Sequence, residues 1–236
     1  DNVFGLPFWV AEQQGFFTAE GLAVTLQPHQ TGKQALSAML EGAAEAATVS
    51  ETSLVFASLA GSDFRIIASY ASSSEHSLIA RADRGIRRVT DLRGRRIGLA
   101  PGTSAHYFLH VLLSDQGLSD TEVVTVDLPV TQQASALASG LVDAVATFAP
   151  DSNQCLQALG EAAVSFPAGV RYRGYENLVV VSDLLRQRPA AVRGLLRATE
   201  AAIAWMRTHP EDTLAIGAAA SGLEPEVLRV TWDLVR

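Results

Sequence analysis

RIGLAPGTSAHYFLHVLLSDQG, residues 96–117, reads as strand, turn and helix in one short stretch. The apolar run Arg96 to Ala100 predicts a buried strand. Gly102 permits a tight turn after it. Thr103 or Ser104 is a good N-cap for a helix running to about Gln116, with Tyr107, Phe108, Val111 and Leu112 on one apolar face. A helix start presents unpaired amide donors and a partial positive charge. The junction is therefore either a cradle for an anionic group, with two hydroxyls as extra donors, or a hydroxyl that only caps its own helix. It is not a P-loop, because the lysine and its Ser/Thr partner are missing, and GxGxxG is absent too.

The same alternation continues in both directions. Strand candidates are residues 23–26, 46–49, 64–70, 77–80, 123–128, 143–148, 162–166 and 178–181. Helical patterns lie between them with punctuated ends. Pro7 suits a first helical turn, Gly42 and Gly140 sit where C-caps belong, and Pro189 and Pro225 open two helices near the C-terminus. Strand and helix alternating in this way predict an α/β architecture with mainly parallel sheets. ALSAMLEGAAEAATVS (35–50) and SALASGLVDAVATFAP (135–150) share a plan of Ala/Leu helix, glycine, acidic residue and buried strand, with Gly42 matching Gly140 and Glu45 matching Asp143. Ligands of open α/β sheets gather outside the carboxyl ends of strands. The pair of units predicts two similar lobes; the alternative is chance recurrence of a common motif.

Composition narrows the function. The 236 residues are 48% hydrophobic and 18% charged, enough for a large core in one domain or two modest lobes. The net charge of −7, without a basic run, argues against nucleic acid as a partner. Cys155 is the only cysteine, which excludes an internal disulfide and a cysteine-rich metal site. No apolar run approaches the roughly 20 residues of a membrane span. Asp1 is not an initiator methionine, so removal of a targeting segment is expected.

PFWVAEQQGFFTAEGLAVTL (7–26), ATVSETSLVFASLAGSDFRIIASY (47–70), DLRGRRIGLAPGTSAHYFLHVLLSDQGLS (91–119), ALASGLVDAVATFAP (136–150) and AIAWMRTHPEDTLAIGAAASGL (202–223) together resemble the solute-binding proteins of the nitrate, sulfonate and taurine class of ABC importers. That family (NMT1/THI5-like) includes binders of pyrimidine precursors of thiamine. The resemblance implies a type II periplasmic-binding-protein fold: two α/β lobes with a ligand cleft between them, closing on the ligand about two crossings. These are expected near 80–83 and 177–182, so that lobe 1 is residues 1–80 plus 182–236 and lobe 2 is residues 84–177. It further implies a periplasmic or extracytoplasmic location, with a lipid anchor upstream of Asp1 as one option. Permease subunits of the importer are the expected partners. The protein is expected to be a monomer, without cofactor or catalysis.

Carried over residue by residue, the resemblance places Phe8 and Trp9 facing the ligand, although one of them is expected to be a core aromatic. Gln30 and Thr31 fall in a loop at the cleft, beside a solvated Lys33. Ser50 is either an N-cap or a second anion donor, and Glu51 is expected to complement its own helix dipole. Thr103 and Ser104 are the principal anion donors. Thr147 and Phe148 close from the second lobe, and Tyr175 with Glu176 stands at the hinge. Ser72, with Ser73, is a weaker candidate.

Two family features are missing: a strand before DNVFGLPFWVA and helical sequence after TWDLVR. A longer parent protein is expected, since deleting an interior strand leaves unpaired backbone groups on its neighbours. His106 and His110 lie four apart on one helix face, but no third ligand accompanies them, so exposed helix histidines are the plainer account and no metal is expected. An enzyme on the same fold and the ligand-sensing ectodomain of a receptor are the rival classes. Phe8, Trp9, Tyr70, Phe148 and Tyr175 suit a ligand larger than nitrate. A sulfonate, taurine-like or related organic anion is the first expectation, and a pyrimidine-type heterocycle the second.

Overall fold

The structure, a computed structural model, describes residues 3–169 and 172–232. The chain divides into two compact units: residues 3–72 with 175–232, and residues 73–169 with 172–174. In chain order the first unit contains α1 (Leu6–Gln13), α2 (Phe16–Ala19), α3 (Gly32–Leu40), β1 (Ala46–Ser50) and α4 (Glu51–Leu59). β2 (Phe64–Ser73) then runs into the second unit. There follow β3 (His76–Arg81), β4 (Arg96–Leu99), α5 (Ser104–Ser114), β5 (Val124–Asp127), α6 (Val130–Ser139), β6 (Ala144–Phe148), α7 (Asp151–Leu159) and β7 (Ala163–Pro167). β8 (Gly174–Val181) returns to the first unit, which ends with α8 (Ser182–Gln187), α9 (Pro189–Thr208), α10 (Pro210–Ser221) and α11 (Pro225–Trp232).

The punctuation behaves as the sequence predicts. Pro7 lies in the first turn of α1, and Pro189 and Pro225 open α9 and α11. Gly140 ends α6 at φ 75°, a left-handed conformation that an L side chain rarely adopts. α3–β1 and α6–β6 are the two copies of the helix–glycine–strand repeat.

Two expectations need correction. The sheets are mixed, not mainly parallel. β5, β4 and β6 run parallel, while β3 is antiparallel to β6 and β7, and β1 is antiparallel to β8. The odd strands, β3 and β8, follow directly on the connections between the units, so no helical crossover within a sheet forces them parallel. Residues 23–26 alternate between exposed and half-buried as a strand would, but belong to no sheet among the described residues and remain an extended segment. The units divide at 72/73 and 174/175: β3 is fastened between β6 and β7 of the second sheet, and β8 pairs with β1 of the first.

Each unit packs apolar clusters against its sheet. In the second, ordered β5-β4-β6-β3-β7, Leu78, Ile97, Leu99, Phe108 and Leu112 form one core, and Ile79, Leu137, Val142, Val145 and Cys155 the other. In the first, ordered β1-β8-β2, Ala47, Val49 and Val179 pack with Leu36 and Met39 of α3 and Leu54 of α4. Val180, Leu184 and Val192 pack together in a separate cluster. A Cβ on Gly32 would stand 3.1 Å from the Thr48 carbonyl oxygen and from the Val49 Cα, so glycine lets α3 start against the β1 backbone.

Charge is less evenly spread than the composition indicates: residues 81–96 hold seven arginines. Arg81, Arg84, Arg88 and Arg93 face Asp83, Asp143, Asp91 and Glu122 at 2.7–3.4 Å, which neutralises much of the stretch locally.

Candidate functional site

On the first unit, the end of β1 and the start of β8 lie side by side, with Thr48 opposite Leu178 and Ser50 opposite Glu176. Opposed residues of an antiparallel pair project from one face, so Thr48, Ser50 and Glu176 share a face, and Val49 and Asn177 share the other. Asn177, 4% exposed, accepts from Ser69 Oγ at 2.6 Å and donates from Nδ2 to the Val49 and Tyr175 carbonyls at 3.2 Å. It locks the strand ends that carry the outer face.

Tyr70 of β2 joins that outer face. Its hydroxyl donates to the Phe4 carbonyl at 3.2 Å, and its ring meets Phe8 edge-on at 5.4 Å. Burial, and then the Glu176 charge, push its phenol well above the usual value, with a Thr48 hydrogen bond opposing. The half-buried Glu176 carboxyl makes no hydrogen bond among the described residues, and its pKa is raised to about 8, by desolvation first and by Glu51 second. Glu51 opens α4 and also accepts from the Tyr175 backbone N–H at 2.8 Å and from Thr52 Oγ1 at 3.3 Å. Ser50 occupies the N-cap position of α4 without a capping bond. The residue is 8% exposed, and its hydroxyl has no hydrogen-bond partner among the described residues.

The other first-unit candidates scatter. Phe8 is the core member of its pair, while the half-buried Trp9 lays its indole over Gly5. Thr31 Oγ1 accepts from Gln34 N at 3.3 Å as the cap of α3, and Gln30 N donates to Gln34 Oε1 at 3.0 Å. Both serve the start of α3 beside β1. Lys33 and Tyr175 are exposed, and Ser72 is half-buried at the end of β2.

On the second unit, His76 of β3 lies opposite Phe148 of β6. His76 is 2% exposed and meets Ser104 Oγ, at the first position of α5, at 2.8 Å through Nε2. Its ring stands edge-on to Tyr172 at 4.9 Å and to Phe148 at 6.0 Å, with Phe108 at 5.9 Å. Burial lowers its pKa to about 3, so the imidazole is neutral. Nδ1 has no partner among the described residues. A buried orphan N–H costs more than a buried orphan acceptor, which assigns the proton to Nε2. His76 then donates to Ser104 and leaves the serine's own hydroxyl proton available.

Thr103 differs from its neighbour. Its Oγ1 donates to the Ala100 carbonyl at 2.8 Å and it is 4% exposed, so its hydroxyl shapes the turn. Thr147 lies opposite Ser77 and projects from the sheet face opposite to Phe148, because successive strand residues point to opposite sides. Fully buried, its Oγ1 has no partner among the described residues. His106 Nδ1 accepts from Gly102 N at 3.2 Å and His110 Nδ1 meets Asp120 Oδ2 at 2.7 Å, so the two histidines have separate partners. Among the described residues no group of three His, Cys, Asp or Glu could hold a metal. His76, Tyr172 and Asn177 escaped the sequence reading. His76 sits one residue before the predicted strand 77–80, and its position at the strand start was the available signal.

The chain matches the model of the "NMT1/THI5 like" family over residues 4–213. It belongs to that family. Among curated relatives, the riboflavin-binding protein RibY of Chloroflexus aurantiacus is 26% identical over 89% of this chain and 61% of its own length. A putative aliphatic sulfonates-binding protein of Escherichia coli is 25% identical over 86% of this chain and 63% of its own. The chain thus spans about three fifths of these curated relatives. Among solved structures, the alkanesulfonate-binding protein SsuA from Xanthomonas axonopodis pv. citri, bound to MOPS, matches at TM-score 0.83 and 21% identity over 98% of this chain and 82% of that one. The Candida albicans CA3427 gene product, described as having the generic periplasmic binding protein fold, matches at 0.83 and 14% over 100% and 79%. The desulfurization enzyme DszB matches at 0.69 and 21% over 94% and 79%. This NMT1/THI5-like chain therefore has the periplasmic-binding-protein fold.

Proposed function

We propose that the chain is the solute-capturing part of an extracytoplasmic binding protein serving an ABC importer. The observation that carries this reading is its match, over most of its length, to relatives named for binding riboflavin and aliphatic sulfonates. The solute is a small organic anion, a sulfonate or related acid, whose head meets the first turn of α5 and the Ser104 hydroxyl released by His76. Capture proceeds by closure of the two units about the connections at 72/73 and 174/175, which requires that the solute favour the closed state. Release to membrane permease subunits follows; the binding protein itself acts as a monomer.

The riboflavin-binding relative and the Phe8–Tyr70 pair favour a second reading, a flat heterocycle held by aromatic faces. An enzyme is the weaker class despite the shared fold with DszB. Burial, reinforced by Asp151, pushes the Cys155 thiol up to about 12, so it carries almost no thiolate at neutral pH.

A thermal-shift panel of alkanesulfonates, carboxylates, nitrate, pyrimidines and riboflavin tests the reading, because a solute that binds only the folded chain raises Tm with concentration. A concentration-dependent rise with sulfonates supports the anion and a rise with riboflavin or a pyrimidine alone supports the heterocycle. No rise with any member contradicts solute binding.

A further inference from the structure

The first unit carries an arrangement ill-suited to an anion. Glu176 and Ser50 are direct cross-strand partners on one face, Glu51 follows Ser50, and Tyr70 with Phe8 lies alongside. A half-buried carboxyl without a hydrogen bond is costly to keep, and a second carboxylate beside it raises that cost. Ser50, a residue only 8% exposed, has a hydroxyl without a partner among the described residues, an independent sign that this face is completed from outside the protein.

We propose that the outer face of β1 and β8 binds a positively charged nitrogen of the solute, an ammonium or amidinium group paired with the Glu176 carboxylate, with Ser50 Oγ as a further acceptor. Glu51 adds negative charge from the start of α4, and the rings of Phe8 and Tyr70 supply the negative faces that attract a cation. Among the described residues the charged and titratable groups facing Glu176 are Glu51 from α4 and Tyr70 from β2, and neither neutralises it; the positive charge of the amino terminus acts in the opposite sense but leaves the net shift upward. The solute is then an anion that also carries a basic nitrogen, and an alkanesulfonate without one binds more weakly. The inference rests on the solute-binding reading and deepens it: the first unit supplies the specificity for nitrogen.

The test is calorimetric titration at pH 7 with three matched pairs: 2-aminoethanesulfonate against 2-hydroxyethanesulfonate, 3-aminopropanoate against 3-hydroxypropanoate, and 5-(aminomethyl)pyrimidine against 5-(hydroxymethyl)pyrimidine. The expected result is that at least one amine binds about tenfold or more tighter than its hydroxyl counterpart, and that Glu176→Gln removes the preference while binding of the hydroxyl counterpart is kept. Ser50→Ala should lower amine affinity by a smaller factor. Hydroxyl compounds that bind as well as their amines overturn the inference and leave solute binding standing. A preference that survives Glu176→Gln overturns the assignment to this face. No binding by any of the six, with no shift in the wider panel either, contradicts both. Glu176→Gln should also raise the Tm of the empty protein at pH 8, a gain that a merely structural carboxylate would not give.

Discussion

The two units use the same helix–glycine–strand repeat and end it with opposite chemistry. At the end of β1 the first unit gathers Ser50, Glu51 and Glu176 beside a phenol. Beside the end of β6 the second gathers a neutral His76, Ser104 and the aromatic rings of Phe108, Phe148 and Tyr172. Burial acts on both, but with opposite sign: it holds the Glu176 proton on and keeps the His76 proton off. One architecture therefore offers one acidic face and one neutral face with a helix start, and the difference lies in a few side chains.

The strongest way to break the comparison is to empty one aromatic cluster. Phe108→Ala should cost about 3–5 kcal/mol, because the ring is 1% exposed and packs between α5 and the sheet. Urea unfolding followed by hydrogen exchange should show the second unit opening first. A uniform loss across both units would contradict the division. Next in size, Ser104→Ala should weaken an anionic solute about tenfold, or ~1.4 kcal/mol, while Thr103→Ala should lower stability and leave affinity nearly unchanged, since its hydroxyl is spent on the Ala100 carbonyl. Equal losses of affinity by calorimetry would mean that Thr103 also reaches the solute.

The smallest expected effect is the pH profile, where the two faces oppose each other. His76 has a folded pKa of about 3 against 6.5 unfolded, so the unfolded chain binds the extra proton and stability rises with pH up to about 6.5. Glu176 has a folded pKa of about 8 against 4.5 unfolded, so its contribution is fully present below 4.5 and is lost as pH rises through 8. The terms compete between 4.5 and 6.5, and Glu176 acts without His76 above that. Stability should fall by about 1.4 kcal/mol between pH 7 and 9, and Glu176→Gln should flatten this limb and steepen the rise between pH 4.5 and 6.5, where the two terms compete. A profile already flat in the wild-type protein over pH 7–9 would contradict the raised pKa.

Much of this fold was legible because helix ends and strand runs are local. Pro7, Gly140 and the run at 96–100 act through their own backbone preferences, and the structure places helix ends and a strand there. Strand direction was not legible, because β3 and β8 take theirs from the connections between units, a long-range property. The candidate site divides in the same way. Ser50, Ser104 and Glu176 stand at strand ends or a helix start and were readable there. The roles of Thr103 and Thr147 depend on a hydroxyl's orientation and on the parity of a strand. His76 was missed because its significance comes from Ser104, 28 residues away. Glu176 was readable as a position, but its unpartnered carboxyl became visible only when β8 was laid against β1.

Proton exchange on binding tests the central claim most directly. Titrating 2-aminoethanesulfonate at pH 7 in buffers of different ionisation enthalpy should show release of close to one proton, ~0.9, as Glu176 becomes a carboxylate beside the bound ammonium, and Glu176→Gln should abolish that release. Binding without proton release, or the same release from the Glu176→Gln protein, would contradict the account.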